Sequence, residues 1–158
     1  MAAATDLNIR QMADGEADAL GRLMFRAIRA GASAYTPAQR TAWCAAPPAG
    51  AAWHAKLSKQ AVRVAETHGV PVGLMTRAGA YIDLAYVLPD WQGRGVFSAL
   101  YARLESEARA EACNRLWVHA SLMAQPAFAA KGFRVIRHEM VPRAGQMLPR
   151  AEMEKDLT

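Results

Sequence analysis

Apolar and polar positions change their spacing several times along this chain, and each change marks an element. Leu7-Asn8-Ile9-Arg10-Gln11 alternates with period two and predicts a strand. From Ala17 the spacing lengthens. Ala17, Leu20, Leu23, Met24, Ala27 and Ile28 form one face of a helix that Asp14 is placed to cap and Gly31 to end. Thr36-Pro37-Ala38-Gln39 has the form of a capping box with proline at the first helical position, so a second helix runs through Trp43. Pro47-Pro48-Ala49-Gly50 breaks the chain, and residues 53–60 make a short third helix. Residues 62–66 and 70–75 flank Thr67-His68-Gly69 as the arms of a hairpin, and residues 77–80 turn the chain again.

The chain is organised around residues 81–113. Tyr81, Ile82, Leu84, Tyr86 and Val87 predict a strand that carries a single charge, Asp83, and Pro89-Asp90 ends it. Gln92-Gly93-Arg94-Gly95 follows, and then a long helix on which Val96, Leu100, Leu104 and Ala108 recur every four residues, widened by Phe97 and Tyr101. Strand, glycine loop and helix start make an anion site: first-turn N–H groups are unpaired, and glycine lets a phosphate approach them. Arg94 adds a formal charge. No Gly-Lys-Ser/Thr follows, as a P-loop requires, and the third glycine of a dinucleotide fingerprint is missing. Beyond this unit lie a strand over residues 115–121, the segment Gln125-Pro126-Ala127-Phe128-Ala129-Ala130-Lys131-Gly132-Phe133, and a closing antiparallel pair over 133–140 and 147–155. Pro149 points to an edge position for the last strand.

Val87-Leu88-Pro89-Asp90-Trp91-Gln92-Gly93-Arg94-Gly95 resembles the central motif of the GCN5-related N-acetyltransferases (GNAT), V-x-P-x-x-Q/R-x-x-G-x-G/A. The segment ending in Gly132-Phe133 is similar to the family's second coenzyme-side helix. The specific part of the resemblance covers residues 81–133, and the family's last small residue falls on Phe97, a departure. The resemblance implies a single acetyltransferase domain over residues 1–158, with its core about 5–156. Its fold would be mixed α/β (α+β), a twisted, largely antiparallel sheet flanked by helices, with a V-shaped splay between two central strands. Acetyl-coenzyme A would enter the splay along the open backbone of Ala85, Tyr86 and Val87. Gln92, Gly93, Arg94, Gly95, Val96, Phe97 and Ser98 would wrap its pyrophosphate, and Ser121 and Phe128 would line its far side. The helical insertion bearing Tyr35, Trp43 and Trp53 would cover the acceptor.

Composition narrows the remaining classes. At 158 residues the chain is long enough for a real core. Its longest apolar runs fall far short of a membrane span, and residues 1–10 lack a signal-peptide core. Two distant cysteines, Cys44 and Cys113, argue against a disulfide framework and for a reducing cytoplasm. The net charge of +5 is scattered over the chain without a nucleic-acid motif, so neither nucleic acid nor membrane is expected as a partner. Nor is a metal. The expected partner is a primary amine of a small molecule or peptide, with a homodimer left open.

Acetyl transfer to an amine needs a base, a donor for the thioester oxygen, and a proton for the departing thiol. The resemblance assigns the oxygen donor to the backbone N–H near Val87. Asp83 is the candidate base, directly or through water, with an anchor for the acceptor's cationic end and a structural carboxylate as the alternatives. It lies on the strand face of Tyr81, and unbroken alternation would place it on Val87's face as well, about 13 Å away. The family's acid tyrosine falls on Phe128, which has no proton to give. That role passes to Tyr35, Tyr81, Ser121 or solvent, and a non-catalytic acyl-coenzyme A-binding module is the alternative function. His54, His68, His119 and His138 are dispersed and read as surface or structural residues.

Overall fold

The computed structural model describes residues 6–158; residues 1–5, and so the first part of the expected domain, lie outside the described residues. Seven strands form one sheet in the order β1-β2-β3-β4-β5-β7-β6. The strands are β1 (Leu7–Gln11), β2 (Ala61–Thr67), β3 (Val70–Ala78), β4 (Tyr81–Val87), β5 (Arg115–Ser121), β6 (Arg134–Arg143) and β7 (Gln146–Asp156). The helices are α1 (Ala17–Arg29), α2 (Pro37–Trp43), α3 (Gly50–Ser58), α4 (Val96–Ala110) and α5 (Gln125–Ala130). Every pairing is antiparallel except β4 with β5, which α4 connects as a crossover.

β3 is buried without interruption from Val72 to Arg77, the mark of a strand covered on both faces. α1 and α4 both pack on β3 and β4. Gly73 permits the α4 contact: a Cβ there would lie 2.9 Å from Val96 Cγ1 and 3.2 Å from Leu100 Cδ1, so the start of α4 rests directly on the strand. Val96, Leu100, Leu104 and Ala108 are all buried, as their four-residue spacing requires.

Two local expectations change. α1 is not capped by Asp14. Glu16 occupies that end, where its carboxylate accepts from the Ala13 N–H at 3.1 Å and pairs with Arg10 at 2.6 Å. Nor is the last strand an edge. β7 lies between β5 and β6, and Pro149 is tolerated because β5 pairs only as far as Arg150. The α2 capping box forms in full, with Gln39 N–H on Thr36 Oγ1 at 3.1 Å and Thr36 N–H on Gln39 Oε1 at 2.8 Å.

Candidate functional site

β4 and β5 pair only at Tyr81↔Trp117 and Ile82↔Val118, and beyond Ile82 they separate. The gap is an opening in the sheet. The far half of β4 keeps its other neighbour: Leu88 N–H donates to Val72 O at 2.9 Å on the β3 side. Bonded and non-bonded pairs alternate in an antiparallel ladder. Val87 and Ala85 therefore turn their N–H and C=O groups away from β3, into the gap, while those of Tyr86 belong to the β3 ladder. Of the three residues expected to offer open backbone, two do.

A groove of about 370 Å³ runs from this gap to the start of α4. Ala85, Tyr86 and Val87 form one wall, and Gln92, Gly93 and Gly95 with Val96, Phe97 and Ser98 form its end. Gly95 is the N-cap of α4 at φ +83°, a left-handed conformation that glycine adopts without strain. Its carbonyl takes the first helical bond, from Ala99 N at 3.0 Å, and without a side chain it cannot cap the amides of the first turn. A Cβ added at Gly93 or Gly95 would meet nothing within 4 Å among the described residues, so the space before those amides is open for a ligand's phosphates. Gln92 reaches back to hold the turn, donating from Nε2 to Val87 O at 3.2 Å. Arg94 is outside the lining and stacks 5.0 Å over Trp91.

Phe128 departs from its expected place on the groove wall. It is wholly buried, with ring centroids 5.1 Å from Phe97 and 5.0 Å from Phe133, and Phe97 is the ring that faces the groove. The large residue at 97, where the family motif has a small one, is thus seated on Phe128.

A second cavity, of about 260 Å³, meets the groove at Trp43, Tyr86 and Ser121, which line both. It holds Tyr81, Asp83 and His119. The Tyr81 hydroxyl is 3.0 Å from His119 Nδ1, and His119 Nε2 faces Glu139 at 3.6 Å and Glu152 at 3.9 Å. Burial, then repulsion by Asp83, raises the Tyr81 pKa, while burial, then Arg150, lowers that of His119. At neutral pH Tyr81 is protonated and His119 neutral, so Tyr81 donates and Nδ1 accepts. Ser121 Oγ accepts from Ala124 N at 3.2 Å, and its own proton has no acceptor among the described residues.

Asp83 lies in the same cavity but is engaged. Oδ2 accepts from Gln60 Nε2 at 2.7 Å and faces Lys56 Nζ at 3.3 Å. The strand does not alternate cleanly here. Ile82 pairs with Arg77 and Ala85 with Met75, so three steps on β4 match two on β3, a β-bulge that Thr76 stabilises by accepting from Leu84 N at 3.1 Å. Consecutive residues Asp83 and Leu84 line the cavity together with Tyr86, whereas Val87 lines only the groove. The shared face expected for Asp83 and Val87 does not exist.

Tyr35 lines the second cavity, yet its hydroxyl donates to Pro149 O at 2.6 Å and accepts from Leu122 N at 2.9 Å. It clamps the α1–α2 segment onto β7 and the end of β5 and has no proton to spare. Trp43 lines both cavities, whereas Trp53 is core, donating to Ala17 O at 2.7 Å. His119 is the residue that dispersal in sequence concealed. The available signal was periodicity, since His119 and Ser121 share a β5 face and the parallel neighbour of β5 is the strand of Tyr81.

The sequence profile of the acetyltransferase (GNAT) domain matches residues 32–157. The uncharacterized N-acetyltransferase YafP of Escherichia coli (strain K12) is 34% identical over 142 residues, 89% of either chain. A GCN5-related N-acetyltransferase from Rhodopseudomonas palustris superposes with a TM-score of 0.89 at 31% identity, over 99% of both chains. The fold is also shared with yncA of Salmonella typhimurium, solved with its cofactor acetyl-CoA, at a TM-score of 0.68 and 20% identity over 96% of this chain and 94% of that one.

Proposed function

This chain belongs to the GNAT acetyltransferase family, and on that premise we propose how its two cavities divide the work of acetyl transfer from acetyl-coenzyme A to a primary amine. The observation that carries the reading is their meeting at Trp43, Tyr86 and Ser121, in the gap between β4 and β5. One cavity ends at uncapped helix amides and the other at a titratable pair, so an anionic donor and an amine can approach the gap from opposite sides.

The groove fits the coenzyme. The first-turn amides of α4 and the open space at Gly93 and Gly95 receive the pyrophosphate. Ala85 offers its backbone groups to the amides of the pantetheine arm, and Phe97 with Ala124 and Ala127 gives it an apolar wall. Acetyl-coenzyme A supplies an activated acetyl thioester.

The protein's own residues supply the proton traffic. Tyr81 Oη takes a proton from the amine as its own passes to His119 Nδ1, and Glu139 and Glu152 face the imidazolium that results. The amine nitrogen forms its bond to the acetyl carbon as the carbon–sulfur bond breaks. Val87 N–H is aimed where charge develops on the carbonyl oxygen, Ser121 donates a hydrogen bond to the departing thiolate, and the thiolate takes up through solvent the proton that the His119 imidazolium releases. Asp83 orders Lys56 and Gln60 and tunes Tyr81.

The test is release of free thiol from acetyl-coenzyme A across a panel of amines, with coenzyme binding followed by calorimetry. Tight binding without thiol release from any amine would favour the alternative, a non-catalytic acyl-coenzyme A-binding module.

A further inference from the structure

If the second cavity receives the acceptor, as proposed above, its charges say what kind of amine it takes. Three cationic side chains line it, Lys56, Arg143 and Arg150, against one carboxylate, Asp83. Lys56 is matched to that carboxylate at 3.3 Å. Behind the wall, Glu139 engages Arg150 through Nε alone, at 2.8 Å, and Glu152 is taken by Arg137, also at 2.8 Å. The two terminal nitrogens of Arg150 and the whole guanidinium of Arg143 have no hydrogen-bond partner among the described residues. More positive charge faces the cavity than its carboxylates neutralise.

That charge is close to the chemistry. Arg150 acts electrostatically on both Tyr81 and His119, and Arg143 on Tyr86. In the β5–β7 ladder Arg150 is the register partner of Ser121, the residue at the junction. Glu139 Oε1 is 2.8 Å from Arg150 Nε and 3.6 Å from His119 Nε2, so one carboxylate separates Arg150 from the Tyr81–His119 pair. Trp43, Leu84, Val141 and Leu148 add apolar surface to the wall. A cavity of about 260 Å³ with these walls suits a compact molecule. A polyamine would place its second cation against Arg150.

We propose that Arg150 and Arg143 form an anion subsite and that the acceptor is a small amino acid-like molecule, its amine at Tyr81 and its carboxylate or phosphonate on the two guanidinium groups. Arginine suits both anions because its fork of N–H donors pairs with two oxygens at once.

The experiment measures thiol release from acetyl-coenzyme A with the twenty amino acids, their α-amides, and the aminophosphonate analogues of the best substrates. The expected result is at least one amino acid or aminophosphonate used with kcat/KM ten or more times that of its amide. The best arm tells which oxyanion is preferred. Arg143→Gln, at an exposed side chain that makes no hydrogen bond or ion pair among the described residues, should cut that preference at least threefold. Arg150→Gln should cut it further, through KM, with coenzyme affinity unchanged. Amides or polyamines used as well as the acids overturn the subsite while leaving the acetyltransferase reading intact. Coenzyme binding with no acid acetylated overturns it equally, and failure to bind acetyl-coenzyme A overturns both. Undiminished preference in the folded double variant would remove these arginines from the site.

Discussion

Tyr81 and His119 lie 38 residues apart in sequence, and their side chains meet at 3.0 Å because β4 and β5 run parallel just before they separate. The pair stands at the last point where the sheet is closed. Tyr81→Phe removes the oxygen that takes the amine proton, and the expected loss is about 10²-fold in kcat, the lower range for general base catalysis. In wild type the acid limb of the pH–rate profile should fall below the ordinary histidine pKa of 6.5, because burial lowers that of His119. His119→Gln should abolish that limb. A limb that persists unaltered in the variant would assign it to another group.

The helix end supplies the second expectation. Gly95→Glu puts a carboxylate and a β-carbon into the open space before the first-turn amides of α4. A non-glycine residue in this left-handed conformation costs about 1–2 kcal/mol, which leaves the fold intact. Calorimetry should then show coenzyme affinity reduced at least 100-fold in a variant whose circular dichroism matches wild type. Unchanged affinity would move the phosphates elsewhere.

Much of this site was legible in advance because it is local. The strand, the glycine loop and the helix are contiguous, and their geometry follows from backbone rules that short spacing reveals. The groove residues Gln92, Gly93 and Gly95 to Ser98 lie on that one segment, whereas the gap between β4 and β5 is expected only from the segment's resemblance to the GNAT motif. What stayed hidden was non-local or irregular. The bulge at Asp83 and Leu84 depends on Thr76 across the ladder, and one inserted residue reverses the facing of everything after it. Likewise, no spacing along the chain reveals that the Tyr35 hydroxyl is consumed by Pro149 and Leu122, or that Arg150 stands beside Ser121. Sheet order decides these. Pro149 misled for the same reason, since an absent N–H marks a place where no neighbour bonds and not always a sheet edge.

Phe128→Ala opens a void among Phe97, Tyr101 and Phe133, and should cost about 3–5 kcal/mol of stability. Coenzyme affinity should fall with it, since Phe97 loses its support. Phe128→Tyr buries a hydroxyl in the same apolar cluster, at about 1–3 kcal/mol if it finds no partner, with no gain in turnover. Thermal melts and thiol-release rates check both. A faster Tyr variant would mean that a missing acid at this position limits the enzyme.

Glu105 ties α4 to the end of the chain. Burial pushes its pKa up, but Lys155, Tyr101 and Arg109 outweigh that and hold it at about 2, below the ordinary 4.5. A carboxyl depressed on folding stabilises fully above its unfolded pKa and loses that contribution as pH falls through the folded one. The melting temperature should therefore drop between about pH 4.5 and 2, and part of that drop should vanish in Glu105→Gln. Parallel acid titrations of melting temperature would deny the linkage.

Asp83 provides the sharpest division between two accounts of the base. Its Oδ2 is held by Gln60 at 2.7 Å and matched by Lys56 at 3.3 Å, which describes a carboxylate already in service. Its charge also helps to raise the Tyr81 pKa, after the larger effect of burial. If Tyr81 and His119 carry the proton, Asp83→Asn should change kcat by less than about tenfold, or ~1.4 kcal/mol of barrier. The freed Lys56 should at the same time lower KM for an acid-bearing acceptor, because the cavity gains positive charge. Coenzyme affinity should not move, since Asp83 lies outside the groove lining. If Asp83 is the base, the loss appears in kcat at saturating acceptor and approaches the 10²-fold expected of Tyr81→Phe. Steady-state kinetics of the two single variants and the double variant decide it. A large kcat defect in Asp83→Asn, not deepened by Tyr81→Phe, would put the carboxylate and the phenol on one proton path and end the assignment of the base to Tyr81 and His119 alone.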